Sequence, residues 1–176
     1  VGDKSFKETG RVLITHKGLS GPAVLRLTAF AALELSKVNY KARLSINWID
    51  TNFSAAKNQF MKCRYNASRS RLVNSPPFSK FPKRFWLEII KQAIVDPDIR
   101  WAELSSLDEK RLMSILLFNS YIVFGKGPYG EEFVTAGGID LDEVNISTME
   151  SRLVPGLFFA GELLNVDGIT GGFNFQ

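Results

Sequence analysis

The stretch that most constrains this chain is its last one, "PGLFFAGELLNVDGITGGFNFQ", Pro155 to Gln176. The run "LFFAG" is too bulky and continuous to face water, so it predicts a fully buried strand. Gly161 ends that strand and lets a backbone or a ligand come close, because no side chain intervenes. Glu162 then stands at the carboxyl edge of the strand, where open α/β sheets place their ligands. A carboxylate there suits the vicinal hydroxyls of a ribose or a ribityl chain, from which it can accept hydrogen bonds. Gly168, Gly171 and Gly172 follow. They allow successive backbone N–H groups to point at one object, such as a pyrophosphate or the electron-rich edge of a flavin; on these residues alone a glycine-rich loop with no ligand is the favoured reading.

The rest of the composition narrows the class. The 176 residues suffice for one medium domain or two small ones. Hydrophobic residues make up 45% and charged residues 23%, which is the balance of a soluble globular protein. No apolar run approaches the ~20 residues of a membrane helix, and no secretion signal is recognisable. The expectation is an intracellular protein with no membrane contact. A single cysteine, Cys63, excludes an internal disulfide and a thiolate zinc cage, and a single histidine, His16, excludes sites that need two imidazoles. No metal site is expected. The net charge of +4 is unevenly spread. From Thr51 to Leu87 stand Lys57, Lys62, Arg64, Arg69, Arg71, Lys80, Lys83 and Arg84 with no acid, whereas Glu131 to Glu150 holds six acids and no base. Two regions with different surroundings are implied.

Along the chain, "GRVLITH" reads as a short strand. "GLSGPAVLRLTAFAALELSK" reads as a helix capped by Ser20 or Gly21, with Pro22 in its first turn. "KARLSINWI" alternates Leu44, Ile46 and Trp48 against Arg43, Ser45 and Asn47, the period of a half-buried strand. The basic segment ends in prolines. "PKRFWLEIIKQAIV" then gathers Phe85, Trp86, Ile89, Ile90, Ala93 and Ile94 on one helical face. Ser106 and Glu109 form a capping-box pattern that opens a helix through Leu112, Ile115 and Leu116. "YIVFG", "EFVTAGGI" and "GLFFAG" are three strand candidates. Strands, then helices, then strands predict an α+β protein with a helical part at about 79–118.

Three blocks, "THKGLSGPAVLRL", "VTAGGI" and "MESRLVPGLFFAGELLNVDGITGGFNFQ", resemble the BaiN-like (HI-type) flavoproteins, a family of FAD-dependent NAD(P)H oxidoreductases. The resemblance covers about residues 10–176. It implies an FAD domain of the two-dinucleotide-binding type, interrupted by an inserted domain with a β-barrel and a helical part. On that basis residues 1–132 are expected to be the inserted domain, and 133–176 the return strands of the FAD domain. The family's amino-terminal half carries a Gly-x-Gly-x-x-Gly strand-turn-helix for the ADP moiety. No strand-turn-helix of that kind is read here. The chain is therefore read as a fragment, inactive alone, whose partner is the missing amino-terminal half of the FAD domain.

Positions carried over from the resemblance are Gly161 and Glu162, with Ala160 before them, on the ribityl side. Asp167, Gly168, Thr170, Gly171, Gly172, Phe173 and Asn174 match the flavin-facing loop. Gly137 and Gly138, in the Thr135–Gly138 segment "TAGG", match the crossing back to the cofactor domain. Where the family commonly has Asp, this chain has Asn165, which keeps hydrogen bonding and loses charge. The implied cofactors are FAD and NAD(P)H in the complete protein, with a small-molecule electron acceptor. No residue is assigned as catalytic.

Two other features have plainer readings. Ser20 in "KGLSGP" lacks the Gly-x-Ser-x-Gly spacing of a nucleophile elbow, so a turn and helix cap is favoured, with His16 or Lys17 free to face a substrate. The basic run at 57–84 is interleaved with Tyr65, Phe78, Phe81 and Trp86, the composition of a surface for RNA or another acidic partner. A solvated face of the inserted domain is the favoured reading, and a site for the phosphates of NAD(P)H is a third.

Overall fold

Pro22 fixes its own φ near helical values and has no N–H to leave unpaired, so a helix begins there in the computed structural model. The structure describes residues 1, 4–127 and 136–166. Two compact units emerge. One joins residues 1–43 to 122–176, and the other is continuous over 44–121.

In the first unit, β1 (Leu13–Thr15) and β2 (Gly18–Ser20) form an antiparallel hairpin. The Thr15 hydroxyl closes its turn. It accepts from the N–H groups of Lys17 and Gly18 at 3.2 and 3.1 Å, and donates to the Gly18 carbonyl. Gly21 leads into α1 (Pro22–Phe30) at φ 100, and a Cβ there would stand 3.0 Å from the Arg11 carbonyl oxygen. Only glycine satisfies both demands. Ser20 provides no cap, since it pairs with Leu13 in β2. The single helix read from the sequence divides at Ala31, whose ψ of 3° ends α1 before α2 (Ala32–Lys37). Glu34 of α2 lies 2.7 Å from Lys4 and 3.1 Å from Lys37, and these ammonium groups hold its carboxyl below the ordinary range.

β3 (Ala42–Ile46) alternates half-buried and exposed residues as its period of two predicts, and it pairs with β4 (Asn119–Val123). Between them lies a three-helix core. α3 (Phe53–Asn66) starts at Asn52, whose side chain accepts from the Ala55 N–H at 2.9 Å, and buries Ala56 and Phe60. No helix was expected in this basic segment; its inward stripe is too sparse for periodicity to reveal. α4 (Lys83–Gln92) buries Trp86, Ile89 and Ile90, as the spacing predicts. Ile94 does not join them. Ala93 caps the helix, and Ile94 turns out at φ 55 and is 85% exposed.

α5 (Ser106–Phe118) buries Leu112, Met113, Leu116 and Leu117. Its cap lies one residue earlier than the sequence pattern suggests: Ser105 accepts from the Asp108 N–H. Glu109 is thereby released to pair with Arg64 at 2.8 Å. Arg64 also donates to the Leu104 carbonyl, so the guanidinium ties α3 to the start of α5. Trp86 and Trp101 stack with centroids 6.5 Å apart, and their indole N–H groups donate to the Leu72 and Ser75 carbonyls. Each large apolar side chain buried here contributes about 1.5–3 kcal/mol.

The fold is mixed α and β. Among the described residues the strand pairings are three two-stranded ribbons. The third joins β5 (Val144–Asn145) and β6 (Glu150–Ser151) in the first unit. No helix of the described residues is long and apolar enough to cross a membrane.

Candidate functional site

The site begins with a strand-like segment laid beside β6. Ser151 N–H donates to the Leu157 carbonyl at 2.7 Å, and Phe159 N–H to the Met149 carbonyl at 2.9 Å. "LFFAG" is therefore extended and paired through its backbone. It is not buried: Leu157 and Phe158 are 42% and 60% exposed. The expectation of a fully buried strand is corrected here, because burial needs a second layer and none packs over these side chains among the described residues.

Ala160 is still extended, and Gly161 then turns sharply at φ 67 into the short turn Gly161–Leu163. Nothing crowds the space where a Gly161 Cβ would sit, so the backbone angle alone calls for glycine. At Gly138 the reverse holds. A Cβ there would lie 2.6 Å from the Leu163 carbonyl oxygen, so the requirement is space. That close approach is held by two bonds, from Ile139 N–H to the Leu163 carbonyl and from Asn165 N–H to the Ile139 carbonyl. Ile139 and Leu164 thus form a parallel bridge, and Leu164 is buried beneath it.

The two segments border an open, shallow cleft of about 500 Å³ lined by Ala136, Gly137, Gly138, Glu162 and Leu163. Gly137 stands there at φ 96, a backbone angle that favours glycine. Glu162 is exposed, with no hydrogen bond recorded to another described residue. Gly137, Gly138 and Glu162, far apart in sequence, are brought together, and Gly161 forms the turn beside them. Ala160 precedes that turn, and Asn165 engages the cleft through its backbone. Thr135, Asp167, Gly168, Thr170, Gly171, Gly172, Phe173 and Asn174 lie outside the described residues.

The glycine spacing of a dinucleotide fingerprint does stand after β4, at Gly125, Gly127 and Gly130. Pro128 inside it lacks an N–H for a phosphate, and residues 128–135 lie outside the described residues, so the spacing alone carries no site. His16 sits exposed in the β1–β2 turn. Among the described residues no cluster of His, Cys, Asp and Glu could hold a metal ion.

The basic run divides in two. Arg64 and Arg71 are committed to Glu109 and Asp98. Lys57, Lys62, Arg69, Lys80, Lys83 and Arg84 are exposed and make no ion pair among the described residues. Of the interleaved aromatics, Phe78 and Phe81 pack against the core and Trp86 is inside it, with Phe81 touching Phe78, Phe85 and Trp86. Tyr65 alone faces out, 89% exposed.

With this geometry in hand, the likenesses to known proteins can be placed. The family pattern of the HI0933-like protein Rossmann domain matches residues 7–176. The ribosomal RNA dihydrouridine synthase of Escherichia coli (strain K12) is 33% identical over 97% of this chain and 40% of the relative. The protein of the same name from Haemophilus influenzae is 32% identical over 98% and 40%. The 3-dehydro-bile acid delta(4,6)-reductase of Clostridium scindens is 27% identical over 97% and 41%. The chain thus spans about two-fifths of the length of these curated relatives.

Proposed function

The chain belongs to the HI0933-like family, and from that premise we propose that it forms part of an FAD-dependent oxidoreductase that reduces a carbon–carbon double bond conjugated to a carbonyl. The printed names of the relatives support this choice of chemistry. A dihydrouridine synthase adds two hydrogens across the ring double bond of uridine, and a delta(4,6)-reductase removes double bonds from an oxo-steroid. In the reaction proposed here a hydride goes to the alkene carbon remote from the carbonyl and a proton to the alkene carbon next to it. The electrons come from NAD(P)H in this proposal, and the flavin supplies hydride transfer when bound. Because two of the relatives are named for ribosomal RNA, a uracil base is the acceptor proposed here.

The observation that carries the reading is the meeting of Gly137, Gly138 and Glu162 at one cleft. Its chemistry fits the cofactor. No side chain of Gly137 stands between the cleft and a ligand, Gly138 brings the Leu163 turn against it, and the Glu162 carboxylate can accept from vicinal hydroxyls of the ribityl chain. Asp167, Gly168, Thr170, Gly171, Gly172, Phe173 and Asn174 belong to the same proposal as the flavin-facing loop. So do the barrel-like character of the inserted domain and its limits at 1–132, with the compact unit 44–121 inside them.

The test uses the protein expressed from its complete reading frame. Glu162→Ala should lower the flavin released per mole of protein several-fold, and RNA incubated with the unaltered protein and NAD(P)H should gain two hydrogens at a uridine. Undiminished flavin in Glu162→Ala would remove the cleft from the cofactor site.

A further inference from the structure

α3 buries one stripe and leaves another bare. Ala56 and Phe60 point into the core, and Arg64 is tied to Glu109. On the outer side Lys57, Met61 and Tyr65 follow one another at steps of four residues, whereas Phe53, seven residues before Phe60, begins the inward stripe at the start of the helix. Met61 is 50% exposed, and Tyr65 is almost wholly so. Next to them Asn58, Lys62 and Asn66 line a shallow depression with Met61 and Tyr65. A solvated helix face ordinarily mixes acids and bases in pairs. α3 contains no acid at all. The unit around it holds twelve Lys and Arg against seven Asp and Glu, and three of those acids, Asp98, Asp108 and Glu109, are already in ion pairs.

We propose that this face of α3 is a docking surface for single-stranded RNA, with Tyr65 as the stacking platform and Lys57 and Lys62 against phosphates. The charge of the face is complementary to a polyanion, and the exposed Tyr65 ring distinguishes the occupant. Aromatic faces accept any base, and stacking is worth about 1–3 kcal/mol per base. The Asn58 and Asn66 amides can each donate to and accept from base edges. The proposal rests on the reductase reading for its purpose, since an enzyme acting on a uracil in RNA must hold the strand that carries it. The surface itself is argued from this helix.

The experiment is fluorescence anisotropy of a fluorescein-labelled, uridine-containing single-stranded RNA titrated with the 176-residue chain across a range of salt. Tyr65→Ala should weaken binding about 5- to 100-fold, whereas Tyr65→Trp should restore it. Replacing Lys57 and Lys62 together by Ala should lower the slope of log affinity on log salt by about 1.4, at about 0.7 for each single-strand phosphate contact. Lys91→Ala and Lys110→Ala, on other helices of the unit, serve as charge-matched controls and should change little. Absence of RNA binding at low salt, equal losses in the controls, or an unaffected Tyr65→Ala overturns the surface. So does stronger binding to polyglutamate or to phosphatidylserine vesicles than to RNA. Flavin content and RNA binding of the unaltered complete protein separate the two readings. No RNA binding with flavin retained sinks only this surface, whereas RNA binding by a protein that never holds flavin sinks the reductase.

Discussion

Residues 44–121 and the rest of the chain place their apolar side chains in opposite ways. Of the eighteen apolar residues buried among the described residues, fourteen lie in 44–121 and form one cluster; Ala23, Ala31, Val144 and Leu164 are the other four. Of the twenty large apolar residues left exposed among the described residues, fourteen belong to the other unit, among them Leu163 of the cleft and Leu153, Val154, Leu157 and Phe158 of the segment before it. The first region supplies its own interior. The second is held among its described residues by local backbone pairing and presents apolar surface, and a large exposed apolar patch marks a place for something to bind. The difference teaches where each kind of perturbation should register: stability in the helical unit, ligand capture in the other.

The comparison breaks most readily at Trp86. Its indole is fully buried, stacked on Trp101 and bonded to the Leu72 carbonyl. Trp86→Ala should cost about 3–5 kcal/mol, read from urea unfolding followed by near-ultraviolet circular dichroism. A loss below about 1.5 kcal/mol would mean that the cluster is not the interior described. Arg64 comes next. Removing its guanidinium leaves the mostly buried Glu109 carboxylate and the Leu104 carbonyl without their partner. Arg64→Leu should cost about 2–3 kcal/mol, and adding Glu109→Leu should recover most of it, because the second change removes the stranded charge. If the double variant is as unstable as the single one, the pair does not act as a pair.

How much of this was legible depends on how dense the signal is. β3 and the inner face of α4 were readable because their apolar residues recur at every expected step. α3 was not: its inward stripe is Ala56, Phe60 and a half-buried Cys63, whose thiol burial pushes up, separated by polar residues. The signal available was Asn52, a good N-cap residue three positions before the N–H it bonds. Ile94 matched the α4 period but lay beyond the helix end, where Ala93 leaves the helix and the chain turns to positive φ. "LFFAG" misled for a different reason. Composition reports what a segment could bury, and whether it is buried depends on what packs over it. The convergence of Gly137, Gly138 and Glu162 is a tertiary fact with no periodicity to announce it; family resemblance pointed to those positions, and the spacing alone could not.

A smaller effect separates two versions of the α5 start. Ser105 accepts the Asp108 N–H at 3.0 Å, whereas the sequence pattern favours Ser106. Ser105→Ala should cost about 1 kcal/mol in the same unfolding measurement, and Ser106→Ala a few tenths at most. The reverse order would restore the sequence reading of the cap.

The smallest expected effect tests the second half of the comparison. Phe158 pairs with Glu150 through an antiparallel bridge, yet its ring is 60% exposed. Truncating an exposed side chain removes little packing and leaves the backbone bonds of Leu157 and Phe159 intact. Phe158→Ala should therefore change the unfolding free energy of the 176-residue chain by less than about 0.5 kcal/mol. In the protein expressed from its complete reading frame the same substitution should be felt more strongly, because apolar surface beside a ligand cleft gains its value from what covers it. A loss above about 1.5 kcal/mol in the 176-residue chain would show that the ring is already buried in solution, and the contrast between the two regions would then vanish at the segment where it is drawn most sharply.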